Sequence, residues 1–212
     1  DSGENCIAVA PGANYSLLPG SIIHFSKVID EADIIVMQAE IPYETIKRIA
    51  LLAKQKGKKV LFNPAPACLI DEELMKAIDI LVVNELEAAF ISGIEYTGNN
   101  LEEIALSLLQ AGARNAVITL GSQGVYMKND KEIIQLPGYK VNAIDTIAAG
   151  DTFCGALAVI CAQREIDRDA LSFANAAAAI AVTRSGAQPS IPTLDEVKHF
   201  MLEKELALSF NF

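Results

Sequence analysis

The feature that most constrains this chain is an alternation of short apolar runs with segments of helical spacing. Residues 6–10, 34–37, 59–62, 80–83 and 116–120 are of strand length, and most are rich in Ile and Val. Near-continuous apolar strands of this kind suit a parallel sheet covered on both faces. Between them, residues 21–30, 43–55, 85–92 and 101–111 carry apolar positions at helical intervals. Gly57, Gly93 and Gly112 follow three of these segments, where a left-handed C-cap is expected. Strands alternating with helices predict a layered α/β fold.

After residue 120 the rhythm changes. Residues 125–128 and 132–135 flank Asn129-Asp130-Lys131 and read as a hairpin. Residues 140–144 read as a strand, and helices are expected at 149–163, 167–183 and 194–205. No linker, low-complexity tract or internal repeat interrupts the 212 residues, so they are expected to form a single α/β domain.

The charge excludes several partners. With 17 basic against 27 acidic residues and a net charge of −10, the chain lacks the basic face that nucleic acid or an anionic membrane requires. No apolar run reaches the length of a bilayer span. A polyanion, if bound, must be held by local devices. Cys6, Cys68, Cys154 and Cys161 show no C-x-x-C spacing and sit in apolar surroundings. They are expected to be buried, reduced thiols of a cytoplasmic protein. The chain begins at Asp1 rather than Met, which is expected of a processed chain or of part of a longer one.

The segment richest in chemistry is Asp145-Thr146-Ile147-Ala148-Ala149-Gly150-Asp151-Thr152-Phe153. Ala148, Ala149 and Gly150 are small and stand where a long helix begins, so their amides and the positive end of the helix dipole form an anion site that needs no lysine. Asp151 is open to two readings. It is a first-turn acid favoured by the dipole, or a base that takes a proton from a nucleophilic hydroxyl beside the anion. Asn84 with Glu87 three residues on has the spacing of a capping box.

Residues 145–153 resemble the D-T-x-[GA]-A-G-D-x-F signature of the ribokinase (PfkB-type) sugar kinases. Asn63-Pro64-Ala65-Pro66-Ala67, Asn84-Glu85-Leu86-Glu87, Ile118-Thr119-Leu120-Gly121-Ser122-Gln123-Gly124 and residues 178–192 (AAIAVTRSGAQPSIP) are similar to that family in order along the chain. Ala148 and the TRSGAQPSIP tail point to its ribokinase branch. The resemblance implies a three-layer αβα, Rossmann-like fold with a largely parallel central sheet. It also implies a small lid sheet with a glycine-rich sugar motif, supplied by an N-terminal segment. That segment is missing from this sequence, so the chain is expected to be the C-terminal part of such a kinase.

Carried onto this sequence, the resemblance makes Asp151 the catalytic base and places the anion hole at the amides of Ala148, Ala149 and Gly150. Asn84, Thr119, Gly121, Gly124 and Asn175 would face ATP, and Glu87 would reach Mg2+ through water. Glu40 and Ile7 would border the sugar with Asp151. Asp145, Ile147, Ala181, Arg184, Gly186 and Ser190 would form a loop for a potassium-sized cation, where oxygen-only ligation suits a hard ion. Asn63 ends a strand among these residues without an assigned role. The implied reaction moves the γ-phosphate of ATP to the 5-hydroxyl of D-ribose. The implied cofactors are Mg2+ and K+, and the full-length protein would dimerise through the lid. A nucleotide-binding or interaction role without catalysis, or a deoxyribose or other sugar acceptor, is the alternative.

Other chemistries lack parts. There is no P-loop, no strand–G-x-G-x-x-G–helix unit and no G-x-S-x-G elbow. His24 and His199 stand alone, which leaves zinc sites and His-dependent triads incomplete. The apolar ending at 206–212 carries no assigned role.

Overall fold

The computed structural model describes residues 10–204. Two short 3-10 segments, Gly12–Ser16 and Pro19–Phe25, lead into helix α1 (Ser26–Glu31). Then follow β1 (Ile34–Gln38), α2 (Tyr43–Gln55), β2 (Lys59–Asn63), α3 (Glu72–Met75), β3 (Ile80–Asn84), α4 (Glu85–Ser92), α5 (Leu101–Gln110) and β4 (Asn115–Thr119). The hairpin β5 (Val125–Lys128) and β6 (Ile133–Leu136) precedes α6 (Ala149–Cys161), α7 (Arg168–Ala181) and α8 (Leu194–Glu203). The six strands form one sheet in the order β1-β2-β3-β4-β5-β6. The first four are parallel and the last two join antiparallel.

Strand alternation sorts the apolar side chains into two cores. Leu61, Ile80, Val82, Val117, Val125, Met127 and Ile134 pack beneath α6, α7 and α8. Met37, Val60, Phe62, Leu81, Val83, Ala116 and Ile118 pack beneath α2, α3, α4 and α5. This is the three-layer α/β arrangement expected of apolar parallel strands. Helix ends are set locally. Asn84–Glu87 and Thr193–Glu196 make capping boxes, and Asp167 caps α7. Gly93 closes α4 in the left-handed conformation, at φ +70°.

Helix α6 is pinned at its far end. Lys59, at the start of β2, donates to the carbonyls of Cys161 and Arg164 at 2.9 and 2.8 Å. Its ammonium satisfies carbonyls that the helix end leaves open and sits at the negative end of the dipole. The opposite end of α6 therefore lies over the carboxyl ends of the parallel strands, where open α/β sheets bind ligands.

Three sequence expectations change. Residues 21–30 do not form one α-helix: the 3-10 segment Pro19–Phe25 gives way to α1. Only Ile22 and Ile29 are buried there, whereas Leu18, Ile23, Phe25 and Val28 are exposed, so no continuous apolar face holds a single helix. Residues 140–144 are not a strand. The amides of Ile144 and Asp145 both donate to Val182 O, at the end of α7, instead of to a neighbouring strand. Cys154 and Cys161 are buried free thiols, but Cys68 is only half-buried. The expected strand at 6–10 lies, apart from Ala10, outside the described residues, as do Cys6, Ile7 and the ending 206–212. Among the described residues no helix is long and apolar enough to cross a membrane.

Candidate active site

The last residues of the parallel strands are Gln38, Asn63, Asn84 and Thr119, all polar. Ile34, Leu61, Ile80, Val82 and Val117 pack on the α6 side of the sheet, so alternation assigns those four ends to the same side. The register pairs Gln38 with Asn63 and Asn84 with Thr119. A polar row thus crosses the sheet beneath the first turn of α6.

The start of α6 has an unusual backbone. Ala148 is the N-cap at φ +59°, the one non-glycine residue with positive φ among those described. Such a conformation in a residue with a Cβ is a strain kept only where surrounding structure imposes it. Its carbonyl receives the first helical bond, from Thr152 N at 2.9 Å, and Ala149 N makes a long 3.3 Å contact to Thr146 O. The amides of Ala148, Gly150 and Asp151 donate to nothing among the described residues. Gly150 has an ordinary φ, and a Cβ built on it would meet no atom within 4 Å. Neither strain nor packing calls for glycine there, and the space over its backbone is open. Asp151 is exposed beside these amides.

Glu87 joins this centre from the other helical layer. Its Oε2 accepts from Asn84 N at 2.9 Å while Asn84 Oδ1 accepts from Glu87 N at 2.8 Å. The capping box is therefore real, and it occupies one carboxylate oxygen only. Burial pushes the Glu87 carboxyl above its usual range, the Asn84 amide offsets part of that, and Glu85 adds to it. No lysine or arginine pairs with it among the described residues. A half-buried carboxylate with an unused oxygen suits a hydrated divalent cation. Burial raises the Cys154 thiol to about 12, and the charges of Asp151 and Glu87 both add to the rise. The two carboxylates thus act on the same small region.

The remaining expected residues fall into three groups. Thr119 Oγ1 donates to Val83 O at 3.3 Å and stays half-buried at its strand end. Gly121 (φ +53°) is open, with no atom near a built Cβ. Gly124 has a packing reason of its own: at φ +104°, a Cβ there would lie 2.1 Å from Leu136 O. Asn175 is 8% exposed and donates Nδ2 to Pro137 O at 3.0 Å, fastening α7 to the segment after β6.

The second group is the cation loop, whose two halves Asp145 joins. Its Oδ1 accepts from Ile147 N and its Oδ2 from Gly186 N, both at 3.0 Å. These two amides hold its carboxyl below the usual range, the Gly186 bond first. Ile147 O and Gly186 O receive no hydrogen bond among the described residues, whereas Ala181 O accepts from Arg184 N at 3.1 Å. The Arg184 guanidinium reaches Glu196 at 2.6 Å, tying the loop to α8. Buried Ser190 donates Oγ to Ala187 O at 2.7 Å. Free carbonyls around a carboxylate fit a hard monovalent cation.

Glu40, just past β1, is exposed and lines an open cavity of about 460 Å³ with Gln38 and Asn14. The loop after β2 runs beside it, since Ala39 N donates to Ala65 O at 3.0 Å. Asn63 donates Nδ2 to Val82 O at 2.9 Å. Sequence reasoning passed over Gln38, although a lone polar residue ending an apolar strand was a visible signal. A second depression of about 830 Å³ lies at the opposite end of the sheet, near Arg114 and Lys131, and contains none of these residues.

The αβα layers thus bring the unpartnered amides at the start of α6, the exposed Asp151 and the half-buried carboxylate of Glu87 to the ends of the parallel strands. The sequence profile described as pfkB family carbohydrate kinase matches residues 1–194, and the chain belongs to that family. A Staphylococcus aureus ribokinase is 41% identical over 197 residues, covering 92% of this chain and 65% of its own length. The crystal structure of Thermotoga maritima ribokinase aligns with a TM-score of 0.84 at 40% identity, over 95% of this chain and 66% of that one. Arabidopsis thaliana ribokinase, solved with ribose and ATP, aligns with a TM-score of 0.87 at 28% identity, over 99% and 67%. This chain spans about 65% of the length of the curated relatives it matches.

Proposed function

We propose that this chain forms the phosphotransfer part of an ATP-dependent ribokinase, which converts D-ribose and ATP to ribose 5-phosphate and ADP. The observation that carries this reading is the start of α6, where Asp151 stands beside the strained Ala148, the open Gly150 and amides without partners. Asp151 takes the proton of the 5-hydroxyl as that oxygen bonds to the γ-phosphorus and the bond to the ADP oxygen breaks. The amides of Ala148, Ala149 and Gly150 donate to the oxygens of the moving phosphoryl group, where charge is greatest. Thr119 and Gly121 line the nucleotide side. Glu40 holds the acceptor. Gly124 and Asn175 serve the nucleotide side indirectly, by holding the turn after β4 and the segment after β6.

Asn84 and Glu87 would hold Mg2+ through water, and the ion supplies neutralisation of phosphate charge. The cation loop of Asp145, Ile147, Ala181, Arg184, Gly186 and Ser190 would hold K+, whose charge steadies the segment leading into the anion hole. Both devices explain how a chain of net charge −10 takes a polyanionic substrate.

ADP release by the full-length protein tests this reading, with ATP and Mg2+ present and with ribose, 2-deoxyribose or no sugar added. Ribose-dependent release is expected. No release with ribose would overturn it and favour a non-catalytic nucleotide-binding role, and release that ignores sugar would overturn it in favour of ATP hydrolysis without a sugar acceptor. Rates equal or higher on deoxyribose would reassign the acceptor.

A further inference from the structure

Two side-chain hydroxyls among the described residues are buried without a hydrogen-bond partner, those of Tyr126 and Thr152. Tyr126 packs in the core on the side of the sheet opposite α6. Thr152 stands in the first turn of α6, directly after Asp151, and is 5% exposed. A hydroxyl cut off from water without a partner is unfavourable, and valine would fill the same space without that cost. The family signature leaves position 152 open, so it does not account for the hydroxyl. Helical geometry restricts what this group can do. On its own helix a threonine Oγ1 reaches the carbonyls three and four residues back, which here belong to Ala149 and Ala148. Helical side chains also lean toward the N-terminus, so Thr152 lies against the turn that these residues form. Ala148 O shares its peptide unit with Ala149 N. That amide is held only by the long 3.3 Å contact to Thr146 O.

We propose that Thr152 is a positioning residue of the anion hole, its hydroxyl donating to Ala148 O as the phosphoryl group is transferred. The proposal rests on the kinase reading above and adds a residue that acts only through the backbone. A hydrogen bond to Ala148 O polarises the peptide and makes Ala149 N a stronger donor to the phosphoryl oxygens. It also holds in place the peptide that follows the strained Ala148, whose conformation persists only where its surroundings impose it. The hydroxyl is idle in this structure and engages as charge builds on the phosphoryl group. An interaction made chiefly in the transition state raises kcat and leaves ground-state binding unchanged.

The test compares Thr152→Val and Thr152→Ser with the parent full-length protein, measuring kcat, KM for ribose, Kd for ATP and Tm. Thr152→Val is expected to lower kcat about five- to tenfold, the size of one lost neutral hydrogen bond. Its KM for ribose and Kd for ATP should stay within about twofold, and its Tm should be equal or higher, because an unpartnered buried hydroxyl is removed. Thr152→Ser keeps the hydroxyl and loses a buried methyl, so it should retain kcat within about twofold while its Tm falls. Stability and turnover therefore move in opposite directions across the pair, which a merely structural role would not produce. Thr152→Ala, which also lacks the hydroxyl, repeats the kcat measurement should the valine variant fold poorly. Parental kcat without the hydroxyl, or kcat that follows Tm in both variants, would overturn the proposal while leaving the kinase reading intact. A parent protein without sugar-dependent turnover would remove that reading, and this one with it.

Discussion

Glu87 shows how one side chain serves both structure and chemistry. Its Oε2 closes a capping box while its other oxygen stays unpaired in a half-buried position. Because burial raises its folded pKa above the unfolded value, its protonated form is favoured by folding. The associated stability is present below the unfolded pKa and is lost as pH rises through the folded one. At neutral pH the charge is therefore a liability for folding. Glu87→Gln, which keeps the box geometry, is expected to leave Tm unchanged or higher at pH 7 while lowering turnover at least tenfold. Thermal unfolding and initial rates on one preparation check both halves. A lower Tm with normal turnover would make the residue a cap and nothing more. The box itself was legible from Asn84 and Glu87 in sequence. The unpaired oxygen was not, because it depends on what the opposite helical layer leaves uncovered. Gly124 teaches the converse: its spacing suggested a nucleotide turn, and the structure adds a backbone crossing at Leu136 that no local pattern reveals.

At the scale of elements, α6 carries the account. Its start is strained and open, and its end is clamped by Lys59. Two charge-assisted hydrogen bonds to a helix end, on a largely buried lysine, contribute on the order of 1–3 kcal/mol. Lys59→Met, which retains the apolar stem, should lower unfolding stability by about that amount in urea titration. A change below about 0.5 kcal/mol would mean that solvent replaces the clamp. The strands and helices of the parallel region were legible because burial on two faces writes itself into near-continuous Ile/Val runs and capped helical periods. Residues 43–55 and 85–92 match α2 and α4 end to end. Residues 140–144 were misread because Lys140–Ile144 alternates like a strand, yet its amides are used by the end of α7, a contact made 38 residues away and invisible locally. The Lys59 clamp is likewise tertiary, spanning more than 100 residues.

For the whole molecule, acid should loosen the α8 side first. Arg184 and the Thr193 cap hold the Glu196 carboxyl down at about 2, and the Gly186 and Ile147 amides hold Asp145 low. For depressed acids the stability is present above the unfolded pKa and is lost as pH falls through the folded one. Unfolding followed from pH 5 down to about 2 should therefore show a decline in Tm that Glu196→Gln makes shallower. Identical slopes for the two proteins would show that this carboxylate has no part in the acid transition. The layered fold joins the loop of Asp145, the helix start at Ala148 and the carboxylate of Glu87 around the strand ends, and the catalytic account depends on Asp151 at their meeting point. The most direct measurement is turnover and nucleotide affinity of Asp151→Asn in the full-length protein. Loss of a general base predicts that kcat falls by about 10²–10⁴-fold while the Kd for ATP stays within about twofold. Turnover close to that of the parent would contradict the central claim.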